Sequence, residues 1–267
     1  MKVQYHVVKL ARSELLVVTS PVDAMLRSQV ADWLIRKEVN ITSVSFLDWQ
    51  GDEPRLFTPD GVFSPEDAMA ACACLAREEG VPLGENWEFP LPVSGLDASL
   101  PCAVTVVRTA CLVTLTLPLP ERMEQTSLPL TDGSITLPAV SFPGCSCLIA
   151  PMGTVARTSA AEAIRFWGTL LPGSSSALLI WNEGASSFDP LVFRKAAGAA
   201  DWRSSCATGA AAIGAWLTAQ RQKNQCLTLK QPGGTMAVTT RWQEGLTALS
   251  VSGSVEGLRS RSVNVVF

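Results

Sequence analysis

Histidine and tyrosine are almost absent from this sequence: His6 and Tyr5 are the only ones in 267 residues. One histidine excludes a two-histidine zinc site within the chain. It also excludes a Ser-His or Cys-His catalytic pair, except one built on His6 itself. His6 lies in an apolar alternating run and reads as an ordinary strand residue. Charge is scarce as well, at 17% of residues with a net charge of −3 and no Lys/Arg cluster. That argues against a nucleic-acid partner. Long apolar runs are missing: stretches such as 177–181 span about five residues, where a membrane helix needs about twenty. No membrane partner is expected. The opening Met1-Lys2-Val3-Gln4-Tyr5-His6 has no apolar signal core, so a cytoplasmic location is the expectation.

What is present is apolar and small. The chain is 47% hydrophobic, rich in Ala, Gly, Ser and Leu, and carries eight cysteines. Such a length buries a real core, and disorder is excluded. In a cytosolic chain cysteines are buried small hydrophobes or reactive thiols rather than disulfides. The pairs Cys72-Ala73-Cys74 and Cys145-Ser146-Cys147 are spaced more narrowly than zinc ligands, and no metal is expected.

Strand patterns cover 2–10 and 14–19, joined near 11–13, then 44–49 and 55–57. Residues 23–38 place Met25, Val30, Trp33 and Leu34 on one side of a surface helix. Residues 87–93 and 101–119 are β-rich, and 117–122 reads as a linker. Strands resume at 134–140 and 145–151. A second surface helix at 158–171 offers Ala161, Ile164, Phe166 and Trp167, and strands follow at 177–181 and 191–194. A meander with a Gln231-Pro232-Gly233-Gly234 turn precedes a last strand at Val263–Phe267.

Two helices differ from the others. Ser64-Pro65-Glu66-Asp67 is a strong helix start, with a serine cap, proline at the first position and an acid three residues on. The following 68–76 are small and apolar all round, and Gly80 closes the segment. Residues 205–222 repeat the design, with Ser204-Ser205 offering the cap. A helix apolar on every face must be enclosed. The expected fold class is therefore α+β. Two pseudo-symmetric halves of about 120–130 residues each wrap a mixed or antiparallel barrel-like sheet around one central helix. The expected boundaries are 1–118, 119–255 and a terminal strand, 256–267, returning to the first half.

Two enclosed helix N-termini converging on a cleft between the halves would hold a carboxylate, through free N–H groups and the positive end of the dipole. A cysteine at such an end has its pKa lowered and suits proton transfer. Cys206 occupies that place, and Ala207, Thr208 and Gly209 are small enough for a ligand to reach the backbone. The competing reading is a merely small, buried cysteine like Cys72, Cys74 and Cys226.

Ser204–Ala212 resembles the C-G-[ST]-G-x-x-A segment of the diaminopimelate epimerase superfamily. Lys230–Met236 resembles its P-G-G hairpin, and Arg55–Gly61 the strand and turn before its first catalytic segment. In the C-terminal quarter Trp202, the Ala-Ile-Gly run at 212–214 and the Gln-Pro-Gly-Gly turn are most similar to the histidine racemase of opine-metallophore pathways. The resemblance implies a pyridoxal-free isomerase without cofactor, in which two cysteines at the starts of the two central helices exchange an α-proton of an amino acid. Cys206 matches one of them. The other should fall near 64–69, where no cysteine stands, so Ser64, Pro65, Glu66 or Asp67 takes its place. A plain capping box explains the same residues. By resemblance Ser13 stands at the family's asparagine position, and Ser13 and Thr42 join Ala207, Thr208 and Gly209 as substrate-binding candidates. Cys145–Cys147 lacks the family's asparagine and histidine, and Thr58 stands where asparagine is common.

The expected partner is a small amino-acid substrate, histidine among the candidates, with a homodimer left open. A one-base isomerase or lyase of the phenazine-pathway kind and a catalytically silent binding homologue are the alternatives.

Overall fold

The computed structural model describes residues 1–38, 40–51, 53–130 and 133–266. The chain runs β1 (Lys2–Leu10), β2 (Ser13–Val18), α1 (Arg27–Lys37), β3 (Ile41–Gln50), β4 (Glu53–Phe57), α2 (Pro65–Glu78), β5 (Asn86–Leu91), β6 (Leu100–Val107) and β7 (Ala110–Thr116). It continues with β8 (Arg122–Leu130), β9 (Gly133–Phe142), β10 (Cys145–Pro151), α3 (Arg157–Leu170), β11 (Ser175–Asn182), β12 (Ser187–Arg194) and β13 (Ala199–Trp202). Last come α4 (Ala207–Arg221), β14 (Gln225–Gln231), β15 (Gly234–Trp242) and β16 (Leu246–Asn264). This is a mixed α+β fold, divided into two compact units: Met1–Thr116 with Ser252–Phe267, and Leu117–Val251.

In the first unit β1 pairs antiparallel with β2, through a tight turn that holds Ala11 at φ 57°. β2 runs parallel to β3, with α1 as the crossover, and β3 pairs antiparallel with β4. Parallel strands need such a crossover because a tight turn cannot reverse the chain twice. Leu15 to Val18 are all buried, with α2 against β2 and with Leu16 and Val18 in a core cluster shared with α1. On one face Val30, Ala31 and Leu34 of α1 join Val3, Tyr5, Leu16, Val18, Val44 and Phe46 in one cluster. On the other lies α2, which touches β1, β2, β3, β6 and β7. Its residues Asp67 to Ala76 are all buried, as an apolar-all-round helix requires. Ser64 caps it, and Glu79 ends it with Gly80 following at φ 67°.

The second unit repeats this order. β9 pairs antiparallel with β10, β10 runs parallel to β11 through α3, and β11 pairs antiparallel with β12. Ala160, Ile164 and Trp167 of α3 pack on Leu148, Leu178 and Leu191. α4 touches β9, β10, β14 and β15. A Cβ at Gly214 would stand 2.4 Å from Val238 Cγ1, so the glycine sets how closely α4 approaches β15.

Several readings are corrected. Met25 is 88% exposed, because it lies in a 3-10 turn before α1 rather than on its buried stripe. Phe166 is 55% exposed, and Ala160 and Gly168 take the inner face instead. Arg122 belongs to β8 rather than to the linker. β8 and β13 were not visible in the pattern: β8 is mostly exposed and β13 has four residues. The strand expected at 263–267 is the end of β16, whose last described pairing joins Asn264 to Lys2; Phe267 lies outside the described residues.

Candidate functional site

The start of α2 gathers acid and hydroxyl groups. Ser64 Oγ accepts the Asp67 N–H at 3.3 Å, which is the cap the sequence announces. Pro65 sits at the first helical position, where a missing N–H costs the helix nothing. Glu66 is half-buried. Asp67 is only 4% exposed and accepts a 2.6 Å hydrogen bond from Ser43 Oγ, which β3 supplies. A carboxyl this buried needs hydrogen-bond partners. The helix N-terminus adds favourable charge. Ser43 has no sequence signal; only the packing of α2 on β3 brings it to Asp67. Ser13, at the start of β2, is buried. Thr42 sits where the β2–β3 register shifts, and its hydroxyl donates to the Glu14 carbonyl at 3.0 Å.

The start of α4 is built differently from its expected form. The cap is Cys206, not Ser204 or Ser205: its backbone is extended (φ −152°, ψ 99°) and Sγ accepts the Gly209 N–H at 3.3 Å. Cys206 is 7% exposed, Ala207 is fully buried and Thr208 is half-buried. In a capping box the third helical residue would also return a side chain to the cap's N–H. Gly209 holds that position and has no side chain. A Cβ there would meet Leu179 Cδ2 at 2.7 Å and Cys206 Sγ at 3.1 Å. The acceptor comes instead from the β14–β15 hairpin, where Gln231 Oε1 takes the Cys206 N–H at 2.5 Å. The Gly233 N–H donates to the Ser204 carbonyl at 2.8 Å. The Gln-Pro-Gly-Gly turn thus clamps the approach to the cysteine. Sequence reading found the turn and missed this task, because the pairing spans 25 residues and leaves no local mark.

The deeper thiols are unlike Cys206 in setting. Cys72 and Cys74 lie inside α2 with no exposure, and burial pushes both thiols well above the ordinary range. His6 bridges Glu78 (Nε2, 3.3 Å) and Ser260 (Nδ1, 3.0 Å), a strand residue with two partners. Among the described residues no group of three or more His, Cys, Asp or Glu side chains is arranged to hold a metal ion. No described helix is long and apolar enough to cross a membrane.

The fold is that of proline racemases and their isomerase relatives. A hydroxyproline epimerase from Agrobacterium vitis, solved with bound trans-4-OH-L-proline, matches with a TM-score of 0.72 at 14% identity, over 98% of this chain and 92% of its own. A probable proline racemase from Agrobacterium radiobacter K84, solved with bound carbonate, gives 0.73 at 14% identity, over 99% and 93%. A phenazine biosynthesis PhzF-family protein from Enterococcus faecalis gives 0.58 at 15% identity, over 99% and 100%. Residues 8–258 match the family model of the histidine racemase CntK N-terminal domain, and the chain belongs to that family of racemase-type isomerases. Among curated proteins none matches.

Proposed function

We propose that this chain is a racemase or epimerase that needs no pyridoxal or other cofactor and moves a proton at the α-carbon of a small amino acid, with histidine the first candidate. The observation that carries the reading is Cys206 as the cap of the buried helix α4, its sulfur receiving the Gly209 N–H. A thiolate so placed is favoured by the helix dipole and by its donor. It takes the α-proton, and the electron pair left behind delocalises into the substrate carboxylate, which the positive end of α4 at Ala207, Thr208 and Gly209 stabilises. By resemblance to the family, Asp67 or Glu66 takes the part of its second cysteine as the other acid/base. In one direction the thiolate accepts and a carboxylic acid donates; in the other the roles exchange, so protons balance over each turnover. By resemblance Ser13 and Thr42 are further substrate-binding candidates. By resemblance the proposal extends to a cytoplasmic enzyme of metallophore biosynthesis, working as a monomer or homodimer.

The test is incubation with L-amino acids, L-histidine and L-proline included, in D₂O. Deuterium is expected at the α-carbon together with the D-enantiomer, and Cys206→Ala should lower the rate by about 10²–10⁴-fold, the usual worth of a positioned acid or base. Labelling without inversion would favour the one-base reading, which the absence of a cysteine at the start of α2 motivates. No exchange with any amino acid would leave a silent binding homologue.

A further inference from the structure

We infer that Gln231 is a substrate-binding residue whose side-chain N–H groups receive the carboxylate of the amino acid, an assignment that rests on the racemase reading above. Gln231 is 9% exposed and ends at the cap of α4, where its Oε1 accepts the Cys206 N–H. That bond fixes which end of the amide is which, since an N–H can only be received by the carbonyl oxygen. Nε2 is thereby oriented, and it is buried without a hydrogen-bond partner. The bond lengths of an amide put Nε2 within about 5 Å of the Cys206 nitrogen.

Buried donors in folded proteins are nearly always satisfied, and an unpaired one costs free energy that a folded chain retains for a reason. Here the unpaired donor stands beside the positive end of a helix, where anions are favoured. A carboxylate has two oxygens and several lone pairs, so one oxygen can take Nε2–H while the other faces the helix end. The bond is charge-assisted and of the stronger kind. Gln231 therefore does two things with one planar group. Its oxygen holds the cap that carries the thiol, and its nitrogen waits for the substrate. Rotation of the amide would lose both at once.

The decisive measurements use the whole chain. Gln231→Glu keeps an oxygen for the Cys206 N–H but puts an acceptor where the donor was; Gln231→Met keeps the length and removes both. In the D₂O assay Gln231→Met should raise KM by about 10–150-fold, the worth of a hydrogen bond to a charged group, and Gln231→Glu by more, with kcat less affected. Thermal midpoints of both variants are measured alongside, and Gln231→Glu should stay near the parent. Independently of turnover, the Gln231 side-chain NH₂ resonances in ¹⁵N-labelled protein should shift with L-histidine or L-proline, in the parent and in Cys206→Ala, but not with histamine or pyrrolidine, which lack the carboxylate. Exchange by the parent with unchanged KM in folded variants, or amide shifts at Thr208 and Gly209 that leave Gln231 still, would overturn this assignment while the racemase reading stands. No exchange and no shift anywhere with either amino acid would overturn both.

Discussion

Tyr5 is the sole tyrosine, so its phenol can be followed alone. Its hydroxyl donates to Glu38 Oε1 at 2.6 Å, and Arg261 Nη1 donates to Glu38 Oε2 at 2.6 Å. Burial, then the bond to Glu38, pushes the Tyr5 pKa up to about 12. The Tyr5 bond, with Arg261 adding, holds Glu38 below its ordinary value. The two signs differ. Tyr5 contributes stability that is complete below the ordinary phenol range and lost as pH rises toward 12. Glu38 contributes stability above the ordinary carboxylate range, lost as pH falls through its lowered pKa. Tyrosinate absorbance at 295 nm should therefore appear near pH 12, and earlier in Glu38→Gln; a native-state midpoint at the ordinary phenol value would contradict the clamp. This triad was illegible in the sequence, because its members come from β1, the end of α1 and β16. His6 was legible, since alternation alone places it in a strand.

At the scale of elements, α2 and α4 look alike in composition and differ in how they begin. Ser64-Pro65 carries its whole instruction locally, and the helix starts where those residues say. The start of α4 was misassigned by one or two residues because cysteine is a weak capping group and its partner Gln231 lies on another element. Likewise β8 escaped notice because an edge strand with mostly exposed residues shows no alternation. The glycines of α4 also depend on distant neighbours. In an exposed helix Gly→Ala gains about 1 kcal/mol. At Gly214 the added carbon would sit 2.4 Å from Val238 Cγ1, and overpacking costs about 1–3 kcal/mol or more. Gly214→Ala should lower the urea midpoint, and Val238→Ala in the same chain should recover part of the loss. An unchanged or raised midpoint in the single variant would show that α4 can move away from β15.

At the scale of the molecule, the thiols report on the two units separately. Cys72 and Cys74 are enclosed in the first unit as expected, but Cys226, read from the sequence as buried, is exposed on β14 in the second. Burial raises both enclosed thiols, so neither access nor thiolate is available to an alkylating reagent. Native iodoacetamide labelling followed by mass spectrometry should mark Cys226 first. Cys72 and Cys74 should react only when denaturant opens the first unit, and their labelling under native conditions would contradict an enclosed α2.

The path of β16 has a consequence for biosynthesis. Its opening residues lie in the second unit, and from Ser252 onward it belongs to the first, where it pairs with β1. A ribosome makes β1 early and its neighbour late. Until that neighbour emerges, one rim of β1 offers bare amides and carbonyls to any other nascent chain, the situation in which strands recruit wrong partners. The duration of that vulnerable interval is set by the translation time of the entire second unit, however quickly the first unit can fold.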